Sequence, residues 1–202
     1  MAKQKQMKAA QAKKAEHLAF SITPRRLLGI SAGTTLILLG VLGLSSQGLS
    51  TAAAAPGGIF SWELTRDPLA VQRMIESWDG RTRLLAAFGL GLDYVFMLSY
   101  AVMFSTACYA LGRLLTRHAP GWARLAPWLA GGAWLAAGLD AVENIGLLQG
   151  LLNGPTAAWQ SIAAGCAAVK FTLLGLTLLY LAGGGLWAVV SGRRSKPSLR
   201  QR

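Results

Sequence analysis

Charge is scarce in this chain, and acid is scarcer than base. Of 202 residues only 14% are charged, eight of them Asp or Glu against 20 Lys or Arg. Soluble domains carry roughly 25% charged residues, and disordered chains are poor in apolar ones. With 53% hydrophobic residues the sequence fits neither class. Cysteine is almost absent. Cys108 and Cys166 are the only two, with no C-x-x-C pair, which removes the four-helix thiol oxidases and any disulfide scaffold. The two histidines, His17 and His118, fall outside the long apolar runs, so neither a buried haem held by histidine nor an H-E-x-x-H protease is encoded. No Ser-His constellation, glycine-rich phosphate loop or metal-ligand set occurs. No cofactor and no metal are expected.

What is present is four long apolar runs, each near the roughly 20 residues that cross a bilayer. They are Leu27–Leu49, Leu84–Leu111, Trp128–Leu152 and Ile162–Val190. Four such runs leave no polar surface to wrap a soluble core. The predicted fold is therefore all-α, an integral membrane four-helix bundle over residues 27–190 between basic tails at 1–26 and 191–202. The net charge of +12 would suit a nucleic-acid binder, but the basic tails lack interleaved aromatics and no recognition motif appears, so no nucleic acid is expected. All the Lys and Arg except Lys170 lie outside the runs. They concentrate in residues 1–26, in the loop with Arg113, Arg117 and Arg124, and in the tail after span four. The two alternate loops carry balanced charge or none. The positive-inside rule then places both termini in the cytoplasm. The partner expected on this reading is the lipid bilayer. In that frame Cys108 and Cys166 lie far apart along the membrane normal, and a disulfide is not expected.

The soluble pieces are short. Met1–His17 reads as a solubilising tail that enforces orientation, or as a helix lying on anionic lipid. Ala52–Ala55 offers an A-x-A-like cleavage site, but the long segment before it and the long apolar run favour a retained anchor. In the first outer loop Asp67-Pro68 reads as a helix cap with proline at the first helical position. A short interfacial helix is predicted over Pro68–Trp78, capping the bundle. Nothing else in that loop looks chemically unusual.

Four ionisable residues lie within the spans: Asp93, Asp140, Glu143 and Lys170. Each costs about 2.5–3.5 kcal/mol at mid-span on insertion scales for Asp or Lys. Counted at the helical rise, Asp93, Asp140 and Lys170 sit about 15–16 Å in from the outer boundary and Glu143 about 12 Å in. Three helices thus place their charges in one layer. Asp140, Glu143 and Asn144 share one helix face, as do Asp93, Met97 and Tyr100. Gly29 and Gly33 in span one, and the stripe through Gly165 and Gly175 in span four, suit close helix packing. Three carboxyls against one ammonium leave excess negative charge in a low dielectric. At least one of Asp93, Asp140 and Glu143 is expected to hold a proton at neutral pH, with Tyr94, Tyr100 and Asn144 as hydrogen-bond partners.

At these residues the chain resembles a known group. Leu92-Asp93-Tyr94-Val95-Phe96 with Tyr100, Asp140-Ala141-Val142-Glu143-Asn144, and Val169-Lys170-Phe171 resemble an uncharacterised family of small bacterial four-span inner-membrane proteins, over about residues 84–182. The resemblance implies a bacterial inner-membrane location and no activity. A looser similarity, carried by no motif, is to the sterol isomerase and sigma-2 receptor class, whose compact bundles line an apolar cavity with acids. Three functions remain open. The layer could bind or transport a small lipophilic or cationic ligand or a proton, for which four spans would call for a homodimer. It could serve an intramembrane acid-base enzyme acting on a lipid-soluble substrate. Or it could pin the helices of an accessory subunit in a membrane complex, although interhelical polar contacts average only about 0.6 kcal/mol.

Overall fold

The computed structural model describes residues 23–117 and 119–194. The tail 1–22, His118 and residues 195–202 lie outside the described residues, so the readings of the N-terminal tail and of most of the C-terminal basic segment fall there too. Helix α1 is Pro24–Ser45. It starts where Thr23 accepts a hydrogen bond from the Arg26 amide at 3.4 Å and Pro24 takes the first position, so that one orphan amide is satisfied and another is absent. It tightens into a 3₁₀ turn at Gln47–Leu49. Two short helices follow, α2 at Ile59–Leu64 and α3 at Pro68–Glu76. Then come α4 at Gly80–Leu115, the single turn α5 at Pro120–Ala123, α6 at Ala126–Asn153 and α7 at Ala157–Arg194. The described residues contain no strand, only an isolated bridge between Thr51 and Ala55.

Four of these helices are long and apolar enough to cross a membrane. Helices α4 and α7 run four or five residues past their apolar stretches at each end and α6 one or two, because caps and turn residues rather than hydropathy end a helix. Asp79 accepts from the Thr82 amide at 2.7 Å and starts α4 four residues before Leu84. Gly154, at φ 88°, ends α6 in a conformation that side-chain-bearing residues rarely adopt.

Contacts along the helices show that α4 and α6 run antiparallel. Tyr100 meets Asp140, the Ser105 hydroxyl donates to the Ala130 carbonyl at 3.0 Å, and Gly112 meets Ala126. Helices α6 and α7 are also antiparallel, with Gly146 against Ala163 and Gly150 against Gln160. Helix α1 leans chiefly on α4, where Thr35 and Ser99 hydroxyls lie 2.8 Å apart and Ser99 also donates to the Ser31 carbonyl at 3.3 Å.

The close approaches of these helices are not at the glycines the sequence spacing selected. A Cβ built on Gly29, Gly33, Gly165 or Gly175 meets nothing within 4 Å. The face of α7 that is buried runs instead through Gln160, Ala163, Ala167, Lys170 and Thr177. Small residues occur on two faces of α7, and spacing alone does not say which one a neighbour covers. The tight position is Gly112, where a Cβ would stand 2.5 Å from that of Ala126. Neither backbone can withdraw there without parting the helices.

The segment between α1 and α4 folds back as a lid on one end of α4, α6 and α7. Leu49, Ala55, Trp62, Val71, Met74, Ile75 and Trp78 form its core and continue into Ala86 and Leu90 of α4, Leu147 of α6 and Ala163 of α7. Trp62 and Trp78 meet edge to face at 5.2 Å, and the Trp78 indole donates to the Leu49 carbonyl at 3.2 Å. Arg83 donates to the Ile75 and Trp78 carbonyls at 3.0 and 3.1 Å, satisfying the end of α3. The helix expected at Pro68–Trp78 is present with its Asp67 cap, the Leu69 amide donating at 3.0 Å, and stops at Glu76. Helix α2 was not expected, and it is the part of the lid that reaches the charged layer.

Candidate functional site

Helices α4, α6 and α7 turn their ionic residues toward one another. Lys170 on α7 stands at the centre. Its Nζ donates to Asp140 at 2.7 Å and lies 2.7 Å from Glu143 Oε2. Both acids come from one face of α6, as their three-residue spacing requires. The ammonium also sits 4.6 Å from the centre of the Phe171 ring, a cation–π distance. The second oxygen of Asp140 accepts from the Tyr100 hydroxyl of α4 at 2.9 Å. One turn up α6, Asn144 donates its amide to Asp93 of α4 at 2.7 Å. Six of the residues singled out from the sequence therefore come together as two adjacent groups: Lys170 with Asp140, Glu143 and Tyr100, and Asn144 with Asp93 one turn along.

Tyr94 does not join them. It is 36% exposed, and its hydroxyl donates to the backbone carbonyl of Ala141 at 3.3 Å rather than to an acid. One residue past Asp93 turns a side chain about 100° around the helix, which carries Tyr94 off the shared face.

A seventh participant is Glu63, from α2 in the lid. Helix α2 packs on α7 and α6, with Phe60 5.9 Å from Phe171, the neighbour of Lys170. Burial pushes the Glu63 carboxyl up to about 7, the pull of Lys170 in the opposite direction notwithstanding, and Asp140 and Asp93 push it the same way as burial. Its Oε2 is buried without a hydrogen-bond partner. In the sequence Glu63 looks like one of four acids balancing four bases in a surface loop. The others have surface work: Asp67 and Asp79 cap helices and Glu76 accepts from Gln72 at 2.7 Å. The signal that sets Glu63 apart is its surroundings, Ile59-Phe60-Ser61-Trp62-Glu63-Leu64. That is an apolar turn with one acid in it, the same pattern as the spans.

The site is asymmetric in charge: it holds four carboxyls, Asp93, Asp140, Glu143 and Glu63, against one ammonium, which contacts Asp140 and Glu143. It is also under-satisfied. Glu143 is fully buried and its Oε1 accepts no hydrogen bond, and toward the lid the Trp62 indole N–H and both amide atoms of Gln160 are buried without partners. Unmade hydrogen bonds of this kind cost about 1–3 kcal/mol each. Folded proteins bury few such atoms, and each one calls for a partner such as a water, an ion or a ligand. Among the described residues no group of three His, Cys, Asp or Glu is placed to hold a metal ion; the ammonium of Lys170 takes the central place. Cys108 and Cys166 are both free thiols. Comparison of the chain with protein-family models, with curated proteins and with solved structures finds no match.

Proposed function

We propose that this chain is a multi-pass protein of a bacterial inner membrane, a four-helix bundle with both termini cytoplasmic, whose buried ionic layer binds a proton or a small lipophilic cation entering from the lid side. The observation that supports this reading best is the convergence of four carboxyls from three helices, α2, α4 and α6, near one lysine on a fourth, α7. Lys170 neutralises one acid, and Tyr100 and Asn144 stabilise charge on two. The remaining negative charge has no counterion, so in a low dielectric it is taken up by protons or by a bound cation. Glu63 supports access from the lid, because it reaches the layer from a helix that does not itself span. Pure pinning of helices fits less well, since pinning gains nothing from unsatisfied oxygens.

The test uses the full chain in detergent, with thermal unfolding followed across pH and against tetraphenylphosphonium as a probe cation. Wild type should be stabilised by the probe at high pH, where protons no longer compete. Asp140→Asn keeps the Tyr100 contact, and Glu143→Gln keeps the volume. Both should melt as folded proteins and lose that response. An unchanged response in both variants would contradict the proposal.

A further inference from the structure

Away from the ionic layer, helices α1 and α4 part company. They are held together at Ser31, Thr35 and Ser99. Toward the end of the molecule that carries residue 23 they leave a groove of about 750 Å³, closed on its third side by α6. Its walls include Leu27 of α1, Val102 and Ala110 of α4 and the half-exposed Trp134 of α6, and at its mouth stand Arg25 and Arg113. No acid lines it, and neither arginine has an ion-pair partner among the described residues. From Val102 to Arg113 the groove follows α4 for roughly 16 Å.

Two unpaired guanidiniums at one end of an apolar channel select an occupant that is anionic at its head and apolar along its length. The chain's own remaining segments do not fit that description. Residues 1–22 hold Lys3, Lys5, Lys8, Lys13 and Lys14 against Glu16, and residues 195–202 hold only bases. A second copy of the same end would bring arginine against arginine. Guanidinium forks match phosphate oxygens two at a time. We propose that this groove is a binding site for one anionic phospholipid, its phosphate between Arg25 and Arg113 and an acyl chain along Val102 and Trp134. The site is independent of the ionic layer and stands whether or not that layer binds cations.

Native mass spectrometry of the full chain tests it, with phosphatidylglycerol, phosphatidylcholine and inorganic phosphate offered separately. One phosphatidylglycerol should be retained in preference to phosphatidylcholine. Arg25→Gln with Arg113→Gln should weaken retention about 30-fold, the effect of two basic residues at a membrane surface, while Arg81→Gln at the opposite end of α4 leaves it unchanged. Val102→Trp keeps both arginines and fills the channel; it should displace the lipid as well, which keeps the test valid if the arginine variant fails to fold. Equal retention of the two lipids, or retention that survives Val102→Trp, would overturn the proposal. So would competition by inorganic phosphate as strong as that by phosphatidylglycerol, which would mean a headgroup site with no acyl channel.

Discussion

The two ends of the α4–α6–α7 assembly solve the same packing problem with opposite chemistry. Near residue 23 the contact is apolar and close. Cys108, Leu111, Leu115, Ala126, Ala130 and Tyr180 form its core, Trp122 stacks on Tyr180 at 6.2 Å, and Gly112 admits Ala126. Near the lid the same three helices meet through Lys170, Asp140, Glu143, Asp93 and Asn144. The first end shows that this chain can join helices without charge. The second therefore spends stability on something other than joining them, and the orphaned oxygens of Glu143 and Glu63 say that its polar capacity exceeds its internal demand.

Substitutions can break that contrast. The largest effect is expected from Lys170→Met, which strands Asp140 and Glu143 without a counter-charge. Loss of one partner of a buried pair costs about 3–5 kcal/mol, and circular dichroism melts of the purified chain should show it. Next comes Gly112→Ala at the apolar end, where overpacking should cost about 1–3 kcal/mol in the same melts, whereas Gly165→Ala, with open space around it, should be tolerated. Two tyrosines then sharpen the comparison. Tyr100→Phe removes the hydrogen bond to Asp140 and should cost about 0.6–1.7 kcal/mol. Tyr180→Phe removes a buried hydroxyl that has no partner and should be neutral or slightly stabilising. Equal losses in the two would remove the distinction between the ends.

The lid adds a pH dependence whose sign follows from Glu63. Its carboxyl is raised from the ordinary 4.5 to about 7, so the docked lid holds a proton that the undocked segment releases. Its contribution is complete below about 4.5 and is lost as pH rises through about 7. The groups facing it are Lys170 of α7, Asp140 and Glu143 of α6, and Asp93 of α4. Relative to the intrinsic rise of amide exchange with pH, hydrogen-exchange protection over Ile59–Leu64 should fall across that window in wild type and stay level in Glu63→Gln.

Much of this was legible in the sequence, for identifiable reasons. Hydropathy is summed over 20 residues, so four membrane-length helices stand out. The spacing of Asp140, Glu143 and Asn144 fixes a shared face, and counting residues from the loops placed Asp93 and Lys170 at the matching depth. Tertiary choices were less visible. Nothing local distinguishes the outward stripe through Gly165 and Gly175 from the buried one through Ala163 and Ala167. Glu63 was hidden because α2 is six residues long, too short to show a periodicity, and its role depends on where the lid folds.

The central claim is that the ionic layer holds more carboxyl groups than it can keep charged. Infrared spectroscopy of the chain in lipid at neutral pH reads this directly, through the carbonyl stretch that only a protonated carboxyl shows. The account predicts such a band, falling as pH rises through about 7 and smaller in Glu63→Gln. A spectrum with only ionised carboxylates at neutral pH would contradict it.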